Sequence, residues 1–447
     1  MRRTSTYAVF AAASLLLAPQ LAAAADLEVE IADMKQRMDV MEDQLRAQND
    51  DLTEAQATVE KQNQVIEQAG LEEREDVSAL SSFIEATEFS AWVATSYNFN
   101  FEGSSDQVGG TTTGNVPANL GTFTHPFSNT FQLDQAWIAI DKAPTEESRA
   151  GGHIDLQAGV STTTAYNANA GGGGAAIPTG VDGVGIYSAY VSYLAPLMKG
   201  LRIDAGIVPT AIGWEVEQTN ANITVTRGFM WTNQPVTSTG ATATLMVTDQ
   251  ISVMAGILND PYSRNPVDID RAKALTSKVA FTGEKFGASA ALNYGRAAVG
   301  HSLLGAGAFN NKLGILDGIL WINPTDNLSA AVNYDYFFET NTNVATFAQA
   351  DLTGHAISVQ GRLGIFDSLG IGGRYEYVTF QDGLLAPGAD ELTVHTLTGT
   401  IDWAIVDSLT LRPEVRWDNN STLAYPTRTG QLRQDQVIAL AQLMYEF

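Results

Sequence analysis

The spacing of apolar residues along the chain changes near residue 88. From Leu27 to Ile66, apolar positions recur in steps of four and three residues, an average of 3.5 residues. Helices with that period supercoil around one another. Ten of the twelve seam positions are apolar, and the other two are Gln48 and Gln62. The pattern predicts an N-terminal α-helical coiled coil over residues 26–69, followed by a polar linker over 70–87. A single amphipathic helix packed on its own barrel is the alternative.

Beyond residue 88 the period of the pattern is two residues. Between Leu409 and Asp418 every second residue is apolar, and the residues between them are polar or charged. The segment 397–405 alternates in the same way, and only Val406-Asp407-Ser408 separates the two. A connection of that length is typical of a hairpin turn. The pattern therefore predicts antiparallel β-strands, each with one apolar and one polar face.

Sixteen such segments follow one another to the end of the chain. The predicted strands are 88–101, 128–142, 150–162, 185–195, 200–210, 236–247, 251–259, 274–283, 286–296, 313–323, 327–339, 352–365, 370–380, 392–405, 409–419 and 433–447. Seven short turns alternate with eight longer loops between them, as is typical of outer-membrane barrels. We therefore predict an all-β transmembrane antiparallel β-barrel of about sixteen strands over residues 88–447. An even strand number places both barrel ends, and hence the coiled coil, on the periplasmic side.

Both ends of the chain carry features of an exported membrane protein. Residues 1–25 combine Met1-Arg2-Arg3, an apolar run and Ala22-Ala23-Ala24-Ala25, which is the pattern of a secretory signal peptide. The last predicted strand alternates up to the terminal Phe447, which resembles the signal read by the outer-membrane assembly machinery. We expect the protein in the outer membrane of a Gram-negative bacterium, with its coiled coil in the periplasm.

Composition argues against several classes of protein. The 447 residues include no cysteine, and the formal net charge is −25. A chain without cysteine forms no disulfide and no thiolate site, and so acidic a chain is unsuited to nucleic acid. No stretch reaches the roughly 18 apolar residues that a membrane helix needs. The sequence indicates no cofactor and no metal, because the five histidines lack the spacing of zinc ligands. They are His125, His153, His301, His355 and His395.

Several short motifs, in the order in which they occur, resemble the OmpL-like β-barrel porin family. They are Asn129-Thr130-Phe131-Gln132-Leu133-Asp134-Gln135-Ala136, Ala189-Tyr190-Val191-Ser192-Tyr193-Leu194-Ala195-Pro196, Pro209-Thr210-Ala211-Ile212-Gly213-Trp214-Glu215, Arg227-Gly228-Phe229 and Thr239-Gly240. The resemblance covers the chain from about Phe89 to Phe447. It implies a porin-like channel in an outer membrane, and the N-terminal coiled coil is then an addition to the family pattern.

The polar faces of the predicted strands supply the candidate pore lining, because a transmembrane barrel turns its polar side chains toward the lumen. The residues assigned to it are Asp155, Arg202, Asp204, Asp335, Arg362, Arg374, Glu376, Asp402, Arg412, Glu414 and Arg416. Its arginines at 362, 374, 412 and 416 lie within four consecutive strands and are expected to form one basic wall. That wall is either a ladder of ion pairs that solvates the lumen or a transverse field that sets ion preference.

The segment 211–235 is the third long loop, the one that folds into the lumen in general porins. Its candidate constriction residues are Trp214, Glu215, Glu217, Arg227 and Trp231, and Phe229 lies among them. Carboxylates on such a loop, facing an arginine wall, would form an eyelet. An ordinary surface loop is the alternative that the sequence leaves open.

Taken with the resemblance, these features favour a porin that forms a water-filled channel for passive diffusion of small polar solutes or ions, and not an enzyme. The alternatives are an outer-membrane anchor whose coiled coil contacts the cell envelope, and a barrel hydrolase built on the neighbours His301 and Ser302. The expected partners are outer-membrane lipid and lipopolysaccharide, the assembly machinery at Phe447, and further copies of the chain. Because all barrels insert in one orientation, helices over 26–69 would associate in parallel. We expect a homotrimer, by resemblance to trimeric sixteen-strand porins.

Overall fold

The structure is a computed structural model that describes residues 84–101, 119, 121–122, 124–162, 183–262, 271–296, 308–343, 348–381, 391–422, 424–427 and 431–447. The predicted signal peptide, coiled coil and most of the linker lie outside the described residues, as do His301 and Ser302. No helix within the described ranges is long and apolar enough to cross a membrane.

The described chain forms one closed antiparallel β-barrel. Its strands are β1 (Glu88–Asn100), β2 (Thr130–Lys142), β3 (Ala150–Ala158), β4 (Val184–Ala195), β5 (Leu201–Pro209), β6 (Thr237–Met246), β7 (Ile251–Leu258), β8 (Ala274–Thr282), β9 (Phe286–Arg296), β10 (Ala308–Thr325), β11 (Leu328–Asn343), β12 (Ala348–Phe366), β13 (Leu369–Gln381), β14 (Glu391–Val406), β15 (Leu409–Asn420) and β16 (Asp435–Glu446). Each strand pairs with the next, and β16 pairs with β1, for example at Tyr445 and Val93. The predicted sixteen-stranded barrel is confirmed.

Three smaller elements lie outside the barrel wall. The connection between β5 and β6 contains a 3₁₀ turn at Thr219–Ala221 and a single helical turn, α1, at Phe229–Thr232. The connection between β15 and β16 contains a short ribbon in which Tyr425–Pro426 pairs with Leu432–Arg433.

Most strands present an apolar face outward and a polar face inward. On β14, Leu397 and Trp403 are 54% and 49% exposed, whereas Thr396 is fully buried. A band of exposed large apolar side chains around a closed barrel is a surface suited to lipid. The inward face therefore carries the polar chemistry of the molecule.

The predicted strand limits are wrong at three places, the first of which is the start of β10, at Ala308 instead of residue 313. β3 ends at Ala158 instead of residue 162, because Gly159 adopts a φ of +107°, where a side chain would meet the carbonyl oxygens of Leu133 and Asp134. β11 and β12 are longer than predicted and pair up to Asn343 and Ala348, so the connection between them is four residues and not a long loop. Polar Asn and Thr residues continue the ladder there, which the alternation of apolar residues does not register.

Candidate functional site: a loop bound across the lumen

The connection between β5 and β6, residues 210–236, lies inside the barrel, and we call it the inner loop. Its hydrogen-bond partners are side chains on β2, β8, β10, β11, β13, β15 and β16. These strands lie on separate sectors of one closed sheet. A segment that contacts all of them can lie only in the space that they enclose.

Arginines of the barrel wall bind backbone carbonyl groups of the inner loop. Arg412 on β15 donates from Nη1 to the carbonyl oxygen of Thr219 at 2.9 Å and from Nη2 to that of Asn222 at 2.7 Å. On the same strand, Nη1 of Arg416 donates to the carbonyl oxygen of Arg227 at 2.6 Å. Both guanidinium groups are buried. Their charge is therefore directed at the loop and not at water.

Carboxylates of the wall bind the amide groups of the same segment. Glu414 accepts hydrogen bonds from the backbone N–H of Val225 at 2.6 Å and of Thr226 at 3.0 Å. On β13, Glu376 accepts from the N–H of Phe229 at 2.7 Å. Hydrogen bonds to ionised groups are the stronger kind. Acids and arginines of the wall thus satisfy polar backbone groups of the loop that its internal hydrogen bonds leave open.

An ion pair joins the inner loop directly to the wall. Nη1 of Arg374 lies 2.6 Å from Oε1 of Glu215, and both side chains are almost completely buried. The same nitrogen donates to the carbonyl oxygen of Thr226 at 2.6 Å. The other carboxylate oxygen of Glu215 accepts from the N–H of Gly228 at 2.9 Å. A side chain at residue 228 would collide with the carboxylate of Glu376, which explains the glycine there.

Amide side chains hold two further parts of the inner loop. Gln135 on β2 donates to the carbonyl oxygen of Glu217 at 3.0 Å and accepts from the N–H of Thr219 at 3.0 Å. On the opposite sector, Asn333 on β11 accepts from the N–H of Trp214 at 3.0 Å. Gln234 donates to Asp335 at 2.7 Å. The loop is therefore attached at both of its ends and in its middle.

Apolar contacts complete the attachment. Ile212 and Met230 pack in a buried cluster with inward-facing side chains of β10, β11 and β13, among them Leu313, Phe337 and Phe380. Trp231 packs in a second cluster, in which the rings of Trp92 and Trp137 stack with centroids 5.2 Å apart. Burial of a large apolar side chain is worth roughly 1.5–3 kcal/mol. The interior of the barrel therefore contains an apolar core beside its polar network.

Glu217 is the one acidic group of the inner loop without a partner among the described residues. Its side chain is fully buried, and neither carboxylate oxygen has a hydrogen-bond partner there. Arg227, also buried, donates instead to the carbonyl oxygens of Val216 at 2.7 Å and Val225 at 2.6 Å. Burial raises the pKa of Glu217 to about 8, and nearby Arg227 opposes that rise. Burial also lowers the pKa of Arg227.

The structure divides the candidate pore residues into groups. Arg374, Glu376, Arg412, Glu414 and Arg416 are brought together against the inner loop, on β13 and β15. Arg362 stands apart from the loop and donates to Asp402 at 3.0 Å; Arg412 donates to the other oxygen of that carboxylate at 2.7 Å. The four arginines thus share one sector but have different surroundings.

The remaining candidates lie on other sectors. On β5, Arg202 donates to Asp204 at 2.8 Å. Asp155 on β3 is buried and accepts from Trp137 at 3.0 Å and from Ser188 at 2.7 Å. Asp335 is buried on β11 opposite Asp317, where the two carboxylates share Asn333 as a neighbour.

Solvent reaches the inward faces of the barrel unequally. The side chains of Arg374 and Arg416 are 0% and 1% exposed, whereas that of Arg202 is 36% exposed. Along β6 to β8 the inward positions are also partly exposed, including Thr242, Met254 and Lys278. The inner loop thus covers inward side chains of β2, β10, β11, β13, β15 and β16, whereas inward side chains in the middle of β5 to β8 keep partial contact with water.

Sequence reasoning missed several anchors of the inner loop. Gln135, Gln234 and Asn333 are neutral amides that nothing in the alternating pattern distinguishes. One signal was present, because the segments that carry the family resemblance include Gln135, Glu215 and Arg227-Gly228-Phe229. All five of these residues take part in hydrogen bonds that attach the loop to the wall or order it there.

Solved structures with a similar fold are outer-membrane proteins. OmpF of Salmonella typhi in complex with daunomycin matches with a TM-score of 0.52 and 11% identity, over 81% of this chain and 97% of that one. The outer membrane channel DcaP of Acinetobacter baumannii matches with a TM-score of 0.51 and 11% identity, over 81% and 97%. The trimer form of OmpT of Vibrio cholerae matches with a TM-score of 0.50 and 10% identity, over 81% and 99%.

At these identities the likeness shows the fold alone. No curated protein matched the sequence. A family model does match, over residues 86–447, and its description is "Putative beta-barrel porin-2, OmpL-like". The match covers the whole barrel, from before β1 to the terminal Phe447. With a sixteen-stranded barrel, a lipid-facing exterior and a loop bound inside the lumen, the chain belongs to this family of outer-membrane porins.

Proposed function

We propose that the protein is a narrow diffusion channel whose solute path follows the sector of β5 to β8, beside the inner loop. The observation that carries this proposal is the unequal exposure of the inward faces. Inward side chains in the middle of these strands, such as Arg202, Thr242 and Met254, are partly exposed, whereas inward side chains of β13 to β16, such as Arg374, Thr398 and Gln442, are buried. Solvent-exposed side chains inside a closed barrel require water-filled space around them. Such a path suits small polar solutes and ions.

The charges along this path are few. Arg202 and Asp204 pair with each other, and Lys278 donates to the carbonyl oxygen of Ala211 at 3.0 Å. The sequence left open whether the arginines of the wall solvate the lumen or set ion preference. The contacts favour a third role for Arg374, Arg412 and Arg416, which is to hold the inner loop. Ion preference then depends on Arg202 and Asp204 instead, because Lys278 also binds a carbonyl group of the loop.

The channel is proposed to act as a homotrimer. A trimer form is known for the similar OmpT of Vibrio cholerae, and the heptad pattern over 26–69 would associate in parallel on the periplasmic side. We further propose that the assembly machinery binds the C-terminal strand. Phe447 is 78% exposed there, and its ring packs edge-on against Tyr445 with centroids 4.9 Å apart. Lipid and lipopolysaccharide would surround the exterior.

Single-channel recording in a planar bilayer tests the channel. Purified protein should give ohmic steps smaller than those of a sixteen-strand barrel of open lumen, because the inner loop occupies one sector. A barrel that is folded, as judged by a shift in gel mobility on boiling, yet gives no steps would contradict the channel. That result would favour the anchor that the sequence left open.

A further inference from the structure

A row of inward side chains crosses the lumen side of β5 to β8. Arg202 on β5 pairs in register with Thr244 on β6. Thr244 pairs with Met254 on β7, and Met254 pairs with Lys278 on β8. All four side chains are partly exposed. A solute that follows the proposed path through the barrel would therefore contact this row.

The guanidinium group of Arg202 is held in a fixed position. Its Nε donates to Asp204 at 2.8 Å and its Nη2 to Ser192 at 3.3 Å. The Cζ atom lies 5.9 Å from the centroid of the Tyr190 ring. Nη1 has no hydrogen-bond partner among the described residues, and the side chain is 36% exposed. A positioned guanidinium with an open donor in contact with water can bind an anionic group.

Tyr190 is itself held by His153 on the neighbouring strand, β3. The two residues pair in register, and their rings stack with centroids 5.0 Å apart. Nδ1 of His153 lies 2.8 Å from Asp141, and its Nε2 lies 2.8 Å from Asp155. Because a carboxylate only accepts hydrogen bonds, both ring nitrogens carry hydrogen and the ring is a cation. Tyr190 thus lies between two cations, His153 from β3 and Arg202 from β5, which limits the movement of the arginine.

The charges around Arg202 restrict the charge of an anion that binds there. Three carboxylates (Asp141, Asp155 and Asp204) and two cations (His153 and Arg202) give the cluster a net charge of −1. A second negative charge on the solute would therefore need a further cation. Lys278 lies three strands from Arg202, which is about 14 Å at about 4.8 Å per strand, and it donates to the carbonyl oxygen of Ala211. The surroundings favour an anion with a single charge.

The middle of the row suits a short carbon chain. Thr244 offers a hydroxyl and a methyl group, and the thioether side chain of Met254 adapts to apolar groups of different shape. We propose that Arg202 binds the carboxylate of small monocarboxylate solutes, whose carbon chains lie along Thr244 and Met254. This inference rests on the proposed channel function and names the class of solute that the channel selects.

The test uses three probes with the same number of carbon atoms: butyrate, its neutral amide butyramide, and the dianion succinate. Each is added to a planar bilayer in which the full-length protein carries a potassium chloride current. Butyrate should reduce the single-channel current at concentrations well below those at which the other two act. In the Arg202→Gln variant, the butyrate concentration that halves the current should rise about tenfold or more, because a hydrogen bond between two charged groups is lost.

The matched control is Arg362→Gln. Arg362 is another partly exposed arginine on the inner face, and it also pairs with an aspartate, Asp402, but it lies on β12. Its replacement should leave the half-blocking concentration of butyrate unchanged. If Arg202→Gln fails to assemble, Arg202→Lys takes its place. Lysine keeps the charge but lacks the planar fork, so block by butyrate should weaken severalfold.

Equal block by butyramide would overturn the proposal, because the carbon chain and not the charge would then be recognised. Succinate that blocks at the same concentration as butyrate would also overturn it, as would an unchanged half-blocking concentration in Arg202→Gln. A barrel that conducts chloride but is not blocked by butyrate contradicts this inference alone, whereas an assembled barrel without current contradicts the channel. In that case, titration calorimetry of the detergent-purified protein with the same probes measures binding without conduction and decides the matter.

Discussion

Arg374 and Glu215 form a buried ion pair of 2.6 Å between the wall of the barrel and the inner loop, although 159 residues separate them in the chain. The carboxylate also accepts a hydrogen bond from Gly228, and the guanidinium also contacts Thr224 and Thr226. One pair therefore joins β13 to three parts of the loop. Its removal should test whether the loop sets the width of the channel.

We predict that Arg374→Met releases the inner loop and increases single-channel conductance. The substitution leaves Glu215 buried without its partner, which costs on the order of 3–5 kcal/mol. The loop avoids that cost if it moves away and lets the carboxylate reach water. The change in conductance in the Glu215→Gln/Arg374→Met double variant should be smaller than the sum of the changes in the two single variants, as a double-mutant cycle would measure.

The matched control for that prediction is Arg202→Met. Arg202 also faces the lumen, but it contacts Asp204, Ser192 and the ring of Tyr190, which lie on β4 and β5. The single-channel conductance of the Arg202→Met variant should therefore differ little from that of the unaltered protein. If Arg374→Met gave the conductance of the unaltered protein in an assembled barrel, the loop would not be the constriction.

A second prediction concerns ion preference. Arg202→Glu should shift the reversal potential under a salt gradient toward cations and leave the conductance similar, because this side chain is partly exposed to water inside the barrel. From the sequence alone, the same shift would be expected of glutamates at Arg412 and Arg416. Since these two arginines bind loop carbonyl groups, their replacement should increase conductance instead. A pure selectivity change at Arg412 and Arg416 would contradict the role of loop anchor.

The barrel could be predicted from the sequence because apolar and polar residues alternate along each strand, so that almost every residue indicates which face it belongs to. The polar face of β15 was assigned to the lumen from alternation alone, and in the structure Arg412, Glu414 and Arg416 do lie on one buried face. What they contact could not be predicted. Arg412 binds residues about 190 positions away, and those pairings depend on the path of the loop through the lumen.

Alternation also fails where both faces of a strand are apolar. The inward side chains of Leu313, Ile315 and Phe337 belong to the apolar cluster under the inner loop, yet the rule for a water-filled lumen expects polar residues there. The exception arises because the loop and not water covers these positions. The sequence pattern indicates whether a strand face is apolar or polar, but it does not indicate whether water, lipid or another segment of the chain covers that face.

The third prediction is a pH dependence that originates at Glu217. The pKa of this loop carboxyl is raised from 4.5 to about 8 by burial, so the seated loop retains a proton that a released loop gives up. The bound position of the loop in the lumen is therefore most stable below the ordinary pKa of 4.5, loses stability progressively as the pH rises to about 8, and changes no further above that. Conductance should increase between about pH 5 and about pH 8 as the loop is released.

The Glu217→Gln variant separates this carboxyl from every other titrating group. The amide is uncharged at all pH values and has nearly the same shape, so its conductance should stay constant across that range. The Asp204→Asn variant is the control, because that carboxylate faces the lumen but lies away from the loop, and it should keep the pH dependence. An unchanged pH response in Glu217→Gln would assign the effect to another residue.

The last prediction concerns the predicted coiled coil, which lies outside the described residues and rests on the sequence. The seam alternates two sets of positions, one of which is Ile31, Met38, Leu45, Leu52, Val59 and Ile66 and the other Leu27, Met34, Met41, Gln48, Ala55 and Gln62. Because the first set mixes branched and unbranched side chains, the packing rules that select two, three or four strands do not decide between them. Glutamines at two seam positions can hydrogen-bond across the axis, which costs stability and selects the register.

A peptide of residues 26–69 should therefore be helical by circular dichroism, lose helicity on dilution, and sediment at equilibrium as a trimer. Replacing both glutamines with leucine should raise its melting temperature, since apolar side chains then fill the seam. A peptide that stays monomeric at high micromolar concentration, together with full-length protein of single-chain mass in detergent, would contradict the homotrimer while leaving the channel intact.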